Sequence, residues 1–125
     1  MRFAGYAAVF DRPDRGGDVV RRGAFDRSLR RGSVPLLWQH EAGRPIGRVE
    51  YLREDGRGLR VIGQVVDARA AALIEARAVT GLSFGYRVRE ARGSAPRELT
   101  ELDLVEVSLV TFPMQPLARV HGIEP

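Results

Sequence analysis

Ser83, His40 and Glu106 are the residues whose chemistry stands out from their surroundings. Ser83 lies in Gly81-Leu82-Ser83-Phe84-Gly85-Tyr86, a hydroxyl in an apolar run between two glycines. His40, one of 2 histidines, closes the apolar run Val34-Pro35-Leu36-Leu37-Trp38-Gln39-His40. Glu106 interrupts Leu104-Val105-Glu106-Val107-Ser108-Leu109-Val110, where an ionised carboxylate is expensive unless paired or hydrogen-bonded. Together they would supply a nucleophile, a general base, and a carboxylate that fixes the base's tautomer and steadies its cation. The separations, 43 residues from His40 to Ser83 and 23 from Ser83 to Glu106, neither require nor forbid contact. Each residue also has a plainer reading. Glu106 would pair with an arginine, His40 would be a hydrogen-bonded residue at the rim of the core, and Ser83 a small polar residue in a strand.

The elements that must position these groups are mostly strands. Side chains alternate between the two faces of a strand. Leu82, Phe84, Tyr86 and Val88 therefore share a core face, with Ser83, Gly85, Arg87 and Arg89 opposite, and Gly85 leaves room for close approach. The same alternation puts His40 on the face of Leu36 and Trp38, and Glu106 on the face of Leu102, Leu104, Ser108 and Val110. Met1 to Phe10 forms a first strand, Asp11 to Gly17 a loop, and Asp18 to Val20 a short strand. Phe25 to Arg31 is a solvated connecting helix of one or two turns ending at Gly32. Glu41 to Pro45 is a turn. Ile46 to Glu54 and Leu59 to Asp67 flank Asp55-Gly56-Arg57-Gly58, a hairpin signal. Ala68 to Ala78 is a helix with Asp67 as its N-cap and Ala70, Leu73 and Ile74 on one side. Leu99 to Thr111 is the last strand, and the remainder a short surface tail. Six or seven strands, mainly hairpin-connected, with one clear helix, predict a mainly β fold with peripheral helices: an antiparallel β-barrel or a strongly curved antiparallel sheet.

Composition narrows the function classes. At 125 residues the chain is expected to form a single domain, residues 1–125. It has no cysteine, which excludes disulfides, thiol catalysis and zinc–thiolate sites. No cofactor or metal site is expected. No apolar run approaches the ~20 residues that span a bilayer, and there is no signal-peptide core, so no membrane partner is expected. The net charge is +4, yet all 20 basic residues are arginine and 16 acids are interleaved with them. A nucleic-acid footprint needs basic residues clustered on one face, so no specific nucleic-acid partner is expected.

Several of these segments, in the same order, resemble the prohead maturation proteases of tailed phages and their relatives in gene transfer agents. They are Gly5-Tyr6-Ala7-Ala8-Val9-Phe10, Gly17-Asp18-Val19-Val20, Gly23-Ala24-Phe25, the Val34–His40 run with Pro45-Ile46-Gly47, Gly58-Leu59, Gly81–Tyr86, and Leu104 to Pro113. The resemblance implies an antiparallel barrel similar to the herpesvirus assemblins. It implies a serine endopeptidase that cuts scaffold and major-capsid-protein extensions, and itself, inside the assembling prohead in the bacterial cytoplasm. By that resemblance His40 is the general base and Ser83 the nucleophile. Glu106 is the third member, where the herpesvirus relatives use a second histidine; His121 lies in the tail. The resemblance also implies a homodimer as the active form. Relatives often carry Ala-Asn-Pro after the last strand, where this chain has Met114-Gln115-Pro116, which leaves the detail of the oxyanion hole open. The rival reading is a catalytically silent capsid-assembly or scaffolding module on the same fold.

Overall fold

The computed structural model describes Met1–Pro125. In chain order it comprises β1 (Arg2–Val9), β2 (Asp18–Val20), α1 (Asp26–Leu29), β3 (Pro35–Trp38), β4 (Glu41–Glu54), β5 (Gly58–Val65), α2 (Ala68–Glu75), β6 (Gly81–Arg92), β7 (Arg97–Val110) and β8 (Val120–Glu124). The strands form one sheet in the order β2-β7-β3-β4-β5-β1-β8, with β6 also paired to β7. The mainly β class is as the sequence predicts. The antiparallel barrel is not. β2 and β3 both run parallel to β7, because each reaches it by a crossover and not by a hairpin. The sheet does not close into a barrel: β6 meets the chain leading into β8 only at the isolated bridge Gly81–Arg119.

β7 organises this sheet. It pairs with β6 along most of its length, while β2 takes the Arg97–Leu99 end of its other edge and β3 takes Val107–Leu109. Its ladder with β6 contains a bulge. Gly85 pairs with Glu106 and Tyr86 with Leu104, so Val105 is left over. The bulge changes which residues of β7 face the core. Before it, the fully buried Leu102 pairs with Val88; after it, the fully buried Val107 and Leu109 pair with Phe84 and Leu82. Glu106 and Ser108 thus belong to the opposite face from Leu102 and Leu104. The uniform alternation expected across Leu102–Val110 fails at this one residue.

The core gathers Phe3, Phe25, Leu36, Ile46, Leu59, Val61, Ile74, Leu82 and Leu109 among others. The 55–58 hairpin forms as its turn residues dictate, with Asp55 Oδ1 accepting from the Arg57 and Gly58 amides. α2 has its predicted cap, the Asp67 carboxylate accepting from the Ala70 amide at 2.9 Å. α1 is more than a solvated connector: Phe25 and Ser28 are buried, and the Ser28 hydroxyl donates to the Leu102 carbonyl while accepting from the Leu104 amide. Two further segments differ from expectation. Glu41–Pro45 belongs to β4, the turn having moved to Gln39-His40. The tail is held as β8 against β1, because Gly5 lets the two backbones approach: a Cβ there would lie 2.2 Å from the Arg119 carbonyl oxygen.

Candidate functional site

The outer face of the β6–β7 ladder carries the chemistry. Cross-strand partners lie side by side on one face. Ser83 opposes Ser108, and Gly85 opposes Glu106, directly behind the core pairs Leu82–Leu109 and Phe84–Val107. The alternation read for β6 therefore holds. Ser83, Glu106 and Ser108 are all buried, Ser108 completely. Gly85 leaves the space that the Glu106 carboxylate occupies. A Cβ at that position would fall 2.5 Å from Glu106 Oε1, so any side chain would displace the carboxylate.

His40 reaches this face through a turn. β3 stops at Trp38, and Gln39 and His40 both adopt left-handed backbone, with φ of 52° and 62°. Trp38 pairs with Glu41, so the two residues form a two-residue hairpin loop of the kind that favours Asn-Gly. Two consecutive left-handed residues with side chains are strained and persist only when their surroundings fix them. Here the surroundings do. The Gln39 side chain donates to Thr111 Oγ1 at 2.7 Å and accepts from the Thr111 amide at 3.0 Å. The Gln39 amide donates to the Leu109 carbonyl, and the His40 amide to Ser108 Oγ at 3.1 Å. The expected Leu36–Trp38–His40 row is thereby broken, and the imidazole lies with Glu106.

Glu106 makes no ion pair with any arginine. Its Oε1 contacts His40 Nδ1, and its Oε2 accepts from Ser108 Oγ at 2.5 Å. An ionised carboxylate only accepts, so the hydrogen in the first contact belongs to Nδ1 and Nε2 is left without a protein partner. The His40 side chain is 44% exposed and that of Glu106 only 8%, so the pair presents imidazole to solvent over a buried carboxylate. Tyr86, farther along β6, has its hydroxyl pushed above the usual phenol range by burial, with the charges of Asp14 and Asp18 adding to the effect.

Of the three residues singled out in the sequence, His40 and Glu106 are in contact. Ser83 shares their face through Ser108, the residue it opposes, but its hydroxyl makes no hydrogen bond to His40 in this structure. His121 has strand context after all, on β8, yet its ring packs on Tyr6 at the β1–β8 edge. Gln115, in the segment that departs from Ala-Asn-Pro, is buried and clamps both the amide and the carbonyl of Val9. It fastens the end of β1. Sequence reading missed Ser108, Gln39 and Thr111. For Ser108 the signal was present, since it stands two residues after Glu106 on the same strand face.

Residues 1–124 match a family model described as caudovirus prohead serine protease. The chain is 30% identical over 136 positions to the prohead protease of Enterobacteria phage HK97, covering 98% of this chain and 60% of that protein. It is 27% identical over 126 positions to a capsid polyprotein of Pseudomonas phage PAJU2, of which it covers 18%. The chain thus spans less than two thirds of these relatives. Among solved structures it resembles the Kaposi's sarcoma-associated herpesvirus (KSHV) protease in complex with a hexapeptide phosphonate inhibitor, at a TM-score of 0.69 and 14% identity over 98% of this chain and 65% of that one. It also resembles varicella-zoster virus protease, at a TM-score of 0.62 and 16% identity over 96% and 62% of the respective chains. At these identities the likeness is one of fold.

Proposed function

This chain belongs to the caudovirus prohead serine protease family, and from that premise we propose that it is a capsid-maturation endopeptidase of Ser-His-Glu type. Ser83 Oγ attacks the scissile carbonyl and gives its proton to His40 Nε2. Glu106 holds the Nδ1–H tautomer and stabilises the imidazolium as it forms. The protonated His40 then donates to the departing amine, and water, activated by the same imidazole, releases the acyl group from Ser83. The observation that carries this reading is the Glu106–His40 contact: a buried carboxylate, free of arginine, turned to an imidazole whose other nitrogen is unengaged.

The proposed substrates are scaffold segments and extensions of the major capsid protein, with self-cleavage, inside the assembling prohead of the bacterial host. Purified protein should shorten a capsid-protein precursor, and Ser83→Ala should lower that rate by several orders of magnitude while leaving the fold intact. Binding to the precursor without cleavage by the wild-type chain would favour a silent assembly module. Active homodimers belong to the same proposal: activity per molecule should rise with protein concentration, and a flat dilution series would refute self-association.

A further inference from the structure

Beside the His40–Glu106 pair, an open groove of about 550 Å³ lies over β7, between the β3–β4 hairpin on one side and β6 on the other. Much of its surface is apolar. Pro35, Leu37 and Pro45 line it from β3 and β4. Val105, the bulge residue, lines it from β7 and remains 44% exposed, with no strand partner in the β6–β7 ladder.

The charge of the groove is equally specific. His40 and Glu106 are committed to each other. The remaining charged residue is Arg87, on the outer face of β6. Arg87 is exposed and makes no ion pair, because its cross-strand partner Asp103 is already held by Arg89 and Arg31. A free guanidinium at the end of an apolar groove is complementary to a carboxylate that follows an apolar side chain.

We infer that this groove selects the substrate of the proposed peptidase as an extended acidic peptide, with an aliphatic residue near the scissile bond and a carboxylate farther along. The inference rests on the peptidase reading. Spacing fixes the register. At ~3.3 Å per residue, Gly85 is roughly 7 Å and Arg87 roughly 13 Å along the strand from Ser83. An extended peptide running with β6 places its aliphatic side chain about two residues from the cleaved bond. Its carboxylate then falls about four residues away, on the same side of that bond. Gly85 keeps the groove open at the aliphatic position, as any side chain there would collide with Glu106.

The test uses the full chain and a library of ten-residue peptides, with cleaved ends read by mass spectrometry. Wild type should enrich Asp or Glu about four residues, and Leu, Ile or Val about two, to one side of the cut. Changing that acid to Lys should lower kcat/KM roughly fivefold, the scale of one exposed ion pair. Arg87→Glu should reverse the charge preference, and Arg87→Gln should abolish it without reversal, both retaining the aliphatic preference about two residues from the cut. Cleavage with the same preferences in wild type and Arg87→Glu would overturn the groove assignment while leaving the peptidase reading intact. No cleavage of any peptide or of the capsid precursor by wild type would overturn both.

Discussion

Two carboxylates on β7, at positions 103 and 106, have opposite surroundings. Asp103 faces Arg31 at 3.3 Å and Arg89 at 3.2 Å, and ties the segment just after α1, and β6, to β7. Glu106 lies past the bulge and touches no arginine, only His40 and Ser108. Arginine cannot give up its proton in the working pH range, so a carboxylate paired with it is fixed as scaffold. Histidine can, so a carboxylate paired with it bears on a proton that moves. In the proposed mechanism the partner, more than the carboxylate or its burial, separates structural from chemical use of the same strand.

Of changes that bear on this contrast, the largest effect should come from Glu106→Gln, which keeps shape and removes charge. Turnover should fall by ~10²- to 10⁴-fold with the melting temperature nearly unchanged. Early melting with normal turnover per folded molecule would erase the contrast with Asp103.

Ser108→Ala comes next. It takes the hydrogen bond from Glu106 Oε2 and the acceptor from the His40 amide, so both the carboxylate and the strained turn lose a support. A charge-assisted hydrogen bond of about 1.5–3 kcal/mol corresponds to roughly a 10- to 100-fold loss in kcat, with KM retained. A change in KM alone would remove Ser108 from the positioning network.

Asp103→Asn should do the reverse of Glu106→Gln: lower the melting temperature by a few degrees and leave turnover intact. A drop in turnover per folded molecule would show that the two carboxylates are not separable.

The smallest effect lies in pH. Burial works against ionisation of Asp103, but the hydrogen bond from Arg89 and the charges of Arg89, Arg31 and Arg27 hold its carboxyl below the usual range. A folded-state value below the unfolded one means this stabilisation is present above about pH 4 and lost as pH falls through the folded value. Urea midpoints measured downward from pH 6 should therefore decline less steeply in Asp103→Asn than in wild type. Parallel declines would show that Asp103 contributes nothing to acid stability.

Much of this was legible in the sequence where a local rule acts alone. The outer-face position of Ser83 followed from plain alternation, the α2 cap from Asp67, and the hairpin from Asp55-Gly56. What failed were places where one residue breaks a period. Val105 shifts the parity of β7, and left-handed Gln39 and His40 turn the imidazole away from the Trp38 row. The parallel pairings of β2 and β3 were also hidden, because they join segments distant in sequence with no turn signal to announce them. β8 escaped notice because its pairing depends on a missing side chain at Gly5 rather than on an apolar run of its own.

Between Leu102 and Val110 the bulge at Val105 makes β7 a period-two signal with a single phase slip, and the slip fixes how this part of the strand tolerates change in length. Substitutions on either side act locally, since each half keeps its own phase. Loss of one codon between Leu104 and Glu106 would realign the halves. It would carry either the carboxylate into the row of Val107 and Leu109 or the leucines of the first half out into solvent. A frame-preserving deletion of this one exposed valine should therefore be more damaging than the replacement of any buried side chain nearby.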